Sequence, residues 1–375
     1  MQSLLYAVGL GAGSMPVAAA VNWVLKDGLG QLGGIAFASA VNNQFDRDVK
    51  LWRLRSALVL DVATLLEVCT PLVPSLFLPL AAIANAGKNV AWLSASATRA
   101  GLHLALTAQG NLADVTAKSG AQSITASLVG TGLGIALSPL VGADPWYILP
   151  VFASLSAIHI ASVYQAVRSI AVPTLTADRA QRLARAFSDQ WSEMQRSTHR
   201  GPSAISLPSP ERVRHEESIA GPGGVHLWRG APELGPLRLL VSVPLSSLHR
   251  AGEVIPTAAR HCSDGGGGTY WAFIDGAGSA ADDDARVVLL MANGALWQAV
   301  LRGVLECALL NNAVQRSKEK NNWPLSWDSV RALEVEAADR AQAMGGDFLW
   351  ALEEAGWWVG QPLVERDVAR RISVE

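Results

Sequence analysis

Charge is scarce in the first part of this chain. Residues 1–172 carry about one Asp, Glu, Lys or Arg in eleven, against about one in four or five over the rest. The stretches Met1–Leu25, Ser119–Ala143 and Pro145–Val167 contain none. Each is about 20 residues or more, enough for an apolar helix to cross a bilayer. Cysteine is scarce too. Cys69, Cys262 and Cys307 lie far apart, with no metal-ligand or CxxC spacing. That excludes a disulfide framework and fits a reducing compartment. A net charge of -2 gives no global attraction to nucleic acid. No basic residue precedes Lys26, and Gly9, Gly11, Gly13 and Pro16 interrupt the first apolar run, which therefore reads as part of the domain and not as a secretory signal. Walker A, HExxH, GxSxG and paired CxxC motifs are missing, as is any repeat period.

What is present is apolar: hydrophobic residues make up 50% of the 375. The chain has room for two domains. The expected fold is mainly α. A membrane-associated helical domain is placed at 1–171, a helix and Pro/Gly/Ser-rich linker at 172–224, and a small α+β domain at 225–375. Helices are expected over Leu4–Leu25 and Gly28–Phe45, then a charged loop or interfacial segment from Asp46 to Arg55. Ser56–Ala86, broken by Pro71, Pro74 and Pro79, reads as helix, turn and second helix. Asn85–Leu106, Thr176–Phe187, Pro210–Glu217, Ala295–Ala313, Trp327–Ala355 (broken near Gly345–Gly346) and Leu363–Ile372 complete the helices. Strands are expected at Leu237–Val243, Thr269–Ile274 and Arg286–Met291.

Candidate chemistry is sparse. Gly28, Gly30 and Gly33 spell GxGxxG, but no strand precedes them and no βαβ unit follows. They read as packing glycines at a tight helix–helix turn rather than a dinucleotide site. Lys26 and Asp27 close the first apolar run, as an ordinary helix end at the membrane surface or, in the functional reading, as a charged pair at the mouth of a polar cavity. Asp61 and Glu67 sit in apolar sequence, where an ionised group needs a partner or a cavity. Asn85, Lys88, Trp92, Ser96, Arg99 and His103 recur at helical spacing and form one polar stripe. Asp61 or Glu67 paired with Lys88 or Arg99 is the structural expectation, and an anion pathway the functional one. Asp114 and Lys118 form an i,i+4 pair. Gly130 and Gly134 form GxxxG, a common helix-contact pattern. Trp146 and Tyr147 suit an interfacial anchor. His261–Cys262 reads as plain loop. Trp350 and Trp357, seven residues apart, are expected to share a core-facing side of one helix.

Longer segments resemble a known family. NWVLKDGLGQLGG at Asn22–Gly34 is similar to the signature of the root UVB-sensitive (RUS) proteins. FASAVNNQFDRDVKLWR, LDVATLLEVCTPL, AAIANAGKNVAWLSASATRAGLH, NLADVTAKSGAQS and VGTGLGIALSP resemble successive blocks of that family's core. The resemblance spans most of Leu4–Val172 and continues more weakly through Pro208–Val213 and Phe348–Trp357. It implies a segment missing at the N-terminus. It also implies plastid membranes, UV-B responses, pyridoxal phosphate homeostasis, and action together with other family members. No reaction or active site belongs to the family. The expected function is therefore a non-catalytic membrane protein that assembles with related RUS subunits, with no cofactor, metal or nucleic acid. The alternatives are a membrane carrier of a small anionic metabolite, using Lys88, Arg99 and His103, and an enzyme acting on a vitamin-like cofactor.

Overall fold

The computed structural model describes residues 17–41, 44–107, 110–142, 145–196, 205–216, 219, 238–242, 248, 270–276, 285–292, 294–320 and 325–363. These are mostly helical, with a few short strands, and divide into two units, Met1–Ile170 and Ala171–Glu375.

The first unit contains α1 (Val17–Val41), α2 (Gln44–Arg47), α3 (Val49–Val68), α4 (Phe77–Ala105), α5 (Leu112–Val141) and α6 (Pro145–Ser169). Gly28–Gly34 does not break the chain into two helices or a turn: α1 runs straight through it. The reason is packing. A Cβ at Gly30 would lie 2.5 Å from the Asn85 side chain, and one at Gly33 would lie 2.8 Å from the Ala86 Cβ. Glycine lets α1 and α4 approach that closely. Gly87 and Gly101 on α4 do the same against Ala63 and Val49 of α3. The charged segment expected as a loop or interfacial segment is helical as well, apart from a bend at Asp48. Lys50, Arg53 and Arg55 open α3, where the Arg53 guanidinium donates to the Ala95 carbonyl oxygen at 3.3 Å. Two 3-10 turns, Thr70–Leu72 and Pro74–Leu76, absorb the prolines. Pro79 falls in the first turn of α4, where its missing N–H has no helical partner to lose.

The second unit contains β1 (Thr174–Thr176), α7 (Ala177–Arg196), α8 (Pro210–Glu216), β2 (Arg238–Val241), β3 (Tyr270–Asp275), β4 (Arg286–Met291), α9 (Trp297–Glu319), α10 (Trp327–Glu354) and β5 (Trp358–Leu363). β4 is the middle strand of three, parallel to β2 and antiparallel to β3, with Ala272 opposite Leu289. β1 pairs in parallel with β5. α9 packs on the three-stranded sheet and against α7 and α10. A Cβ at Gly303 would lie 2.6 Å from Leu289, so glycine sets the distance between helix and sheet. Phe187 packs against Phe348 with ring centroids 5.2 Å apart and planes tilted by 55°.

Several expectations change here. In the described part of 172–224, Leu183 and Phe187 of the expected helix, and also Ile205, Leu207 and Val213, belong to the core of the second unit. α10 has no break, because Gly345 is helical and packs against Arg302. Trp350 and Trp357 do not share a face. Gly356 takes φ +85°, and its N–H donates to Glu353 while that of Trp357 donates to Leu352. This pair of hydrogen bonds is the Schellman ending of a helix. Trp357 thus turns inward at 3% exposure, its indole N–H donating to the Pro208 carbonyl, while Trp350 stays 47% exposed. Trp358–Leu363 is a strand, and the helix expected over Leu363–Ile372 lies outside the described residues beyond Leu363. His261–Cys262, Leu4–Pro16, the Lys26 side chain and the continuation to Ile372 lie outside the described residues.

Candidate functional site

The charged residues of the first unit stand at helix seams. Glu67 of α3 forms an ion pair with Lys88 of α4. Asp61, two turns earlier on α3 and 14% exposed, accepts hydrogen bonds from Ser156 Oγ at 2.6 Å and His159 Nδ1 at 2.8 Å, both on α6. Asp27 of α1 accepts from the Asn85 amide at 3.3 Å. His103, buried near the end of α4, meets Thr116 of α5 at 3.3 Å. Arg99 is exposed and near enough to Arg53 and His103 to act on both. Lys88 and Arg99 are eleven residues apart, roughly 16 Å along the helix.

The candidate residues therefore do not converge on one point. The structure brings Glu67 to Lys88, ties Asp61 to α6, and leaves Arg99 and His103 at a third place. Chemically these contacts couple helices. A carboxylate with its lone pairs occupied by a neighbouring helix is a tether. Sequence reading missed Ser156 and His159. Their spacing of three residues within an uncharged run was the available signal.

The second unit carries a concavity of about 350 Å³ beside α7, lined by Arg179, Arg182, Arg185, Asp189, Glu216 and Trp357 among others. Its size suits a small molecule. Arg179 has a structural task, donating to the Val172 and Thr174 carbonyl oxygens at 3.2 and 2.9 Å and so fixing β1. Burial raises the Asp189 carboxyl, an effect opposed by Arg185, Arg316 and the Asn312 amide. Deeper in this unit, burial pushes the Glu306 carboxyl up to about 8; the Tyr270 hydroxyl opposes the shift and nearby Glu334 adds to it. Among the described residues, no three His, Cys, Asp or Glu side chains are grouped to hold a metal.

A family model described as "Vitamin B6 photo-protection and homoeostasis domain" matches residues 1–190. The chain belongs to the root UVB sensitive family. In Arabidopsis thaliana, it is 34% identical to protein root UVB sensitive 3 over 48% of this chain and 41% of that protein. Root UVB sensitive 4 aligns at 25% identity over 98% of this chain and 68% of its own length. Root UVB sensitive 2, named chloroplastic, is 31% identical over 59% of this chain and 47% of that protein. The chain spans about two fifths of the first of these relatives. No solved structure matches. The root UVB sensitive match takes in every seam contact of the first unit and Arg179, Arg182 and Arg185 of α7.

Proposed function

We propose that this protein is a non-catalytic membrane member of the root UVB sensitive family that works by assembling with related subunits. The observation that carries this reading is α5. Its 30 residues include none that is buried. At about 1.5 Å per residue such a helix is roughly 45 Å long, against about 30 Å of hydrocarbon. Ile124, Leu128, Leu133, Ile135 and Leu140 are all exposed on it. In water that surface would stand against the hydrophobic effect, about 25 cal/mol for each Å². α6 is also long and apolar enough to span, and opens on exposed Trp146 and Tyr147. Such residues belong at a membrane interface.

Assembly is supported by the glycines of α5. A Cβ at Gly130 or Gly134 would meet nothing within 4 Å. The small-residue face is open, as a partner helix requires. On this reading the protein serves the UV-B response and vitamin B6 homeostasis, and a plastid membrane is the first place to look, following the names of the family model and of one relative. A carrier of a small anionic metabolite is the second reading. The half-buried Glu67–Lys88 pair favours it, and the separation of Lys88 from Arg99 and His103 ranks it lower. An enzyme acting on a vitamin-like cofactor ranks third.

Two differently tagged copies, co-expressed and extracted in mild detergent, test the assembly. They should co-purify with each other or with a tagged relative. Gly130→Leu with Gly134→Leu should cut recovery several-fold at unchanged membrane abundance. A wild-type chain that recovers neither itself nor a relative would sink the reading.

A further inference from the structure

We infer that the second unit binds a phosphate-bearing dianion in a cleft lined by Arg196, Arg316 and Arg340. The cleft measures about 510 Å³, and its only other lining residues among those described are Ser192 and Gln195. The three arginines come from three helices: Arg196 ends α7, Arg316 lies in the last turn of α9, and Arg340 sits midway along α10. No acidic residue lines the cleft among those described.

Local structure uses only part of this donor capacity. A guanidinium has five N–H donors. Arg196 donates its Nε to the Ser192 carbonyl at 3.1 Å, leaving its two terminal nitrogens. Arg340 faces Glu336 at 3.6 Å through Nη1, an exposed i,i+4 pair too long for a good hydrogen bond. Arg316 acts on Asp189 electrostatically. Ser192 adds a hydroxyl and Gln195 a side-chain amide, both able to donate to an oxyanion.

Complementing the helix dipole explains why Arg196 and Arg316 stand at helix C-termini. It does not explain why Arg340, in mid-helix, faces the same cleft. Three like charges around one concavity repel, and a bound dianion turns that repulsion into attraction. Arginine forks match tetrahedral phosphate oxygens two at a time, which a chloride ion cannot exploit. The ligand chemistry is thus a terminal phosphate group, carried either by a soluble metabolite or by a lipid headgroup.

The test uses the full chain, in neutral-lipid nanodiscs or in buffer if it purifies without detergent. Inorganic phosphate and phenyl phosphate are titrated by calorimetry at ionic strength fixed with chloride. Saturable binding is expected, weakened about tenfold or more by Arg316→Gln and by Arg340→Gln, because each removes a charge-assisted pair. Arg331→Gln, an exposed arginine on the same helix, removes the same charge and should leave binding unchanged. Arg316→Lys, which keeps the charge and loses the fork, should fall between; it also guards against a Gln variant that fails to fold. Phosphatidic acid added to the nanodiscs distinguishes the two sources. A weaker apparent affinity for free phosphate then assigns the site to a lipid headgroup, and an unchanged affinity assigns it to a soluble phosphate. The proposal is overturned by absent saturable binding, by equal loss in Arg331→Gln, or by undiminished binding in both Gln variants.

Discussion

The two helices α5 and α9 reverse the usual relation between polarity and burial. α5 has 30 residues, two of them charged, Asp114 and Lys118, and not one is buried. α9 has 23 residues and carries Arg302, Glu306, Arg316, Lys318 and Glu319, yet most of its surface is covered. Even Asn311 and Asn312 are buried there, the latter donating to Asp189 at 3.1 Å. Their glycines differ in the same way. Gly303 of α9 is pressed against Leu289, while Gly130, Gly132 and Gly134 of α5 face open space. α9 is finished: most of its residues are covered and its small residue is in use. α5 presents an apolar surface and three small residues that nothing among the described residues occupies. Lipid and a second helix are the coverings that suit them.

The largest expected effect sharpens the account of α9. The folded Glu306 carboxyl holds its proton up to about pH 8, and the ordinary value is 4.5. Between those values unfolding releases a proton, so stability falls as pH rises, by on the order of 4 kcal/mol across the window. Glu306→Gln should abolish that fall. Urea unfolding of both proteins at pH 5 and pH 8 checks it, and parallel slopes would show that Glu306 is not buried as a neutral acid. Next comes the glycine contrast. Gly303→Leu should destabilise by about 3 kcal/mol or more through overpacking, whereas Gly132→Leu should change stability by about 0.5 kcal/mol or less. Thermal unfolding of both variants decides, and equal losses would erase the distinction between a used and an open face. The smallest effect concerns Lys118→Ala. Its pair with Asp114, at 2.7 Å, is exposed on both sides. Loss of an i,i+4 pair there is expected to cost about 0.3 kcal/mol and to shrink further in high salt, measured by the same melts.

Legibility in the sequence followed locality. α5 and α6 were visible because uncharged runs longer than any loop leave little else to form. β4 was read to the residue, since Arg286–Met291 is a short apolar β-branched run. The straight course of α1 was not legible, because clustered glycines look like a break until Asn85 and Ala86 are seen against them. The start of α3 hid behind Lys50, Arg53 and Arg55, although lysine and arginine are good helix formers. Pro202, Pro208 and Pro210 mark a linker by composition, and no local pattern shows that Ile205, Leu207 and Val213 join the core of the second unit. β5 pairs with a strand far earlier in the chain, and no local period encodes that. The candidate site shows the same limit. Asp61, Glu67 and Lys88 stood out as charges in apolar sequence. That Asp61 takes its hydrogen bonds from Ser156 and His159, on a helix some ninety residues away, required the fold.

The most direct measurement is extraction. Membranes from cells expressing the tagged full chain are washed with carbonate at high pH, which strips peripheral proteins and leaves spanning helices in place. The account predicts that the chain stays in the pellet and leaves only with detergent, since α5 and α6 would carry about 25 cal/mol for each Å² of apolar surface into water. Release of the chain into the carbonate supernatant would contradict it, and would require another protein surface to cover both helices.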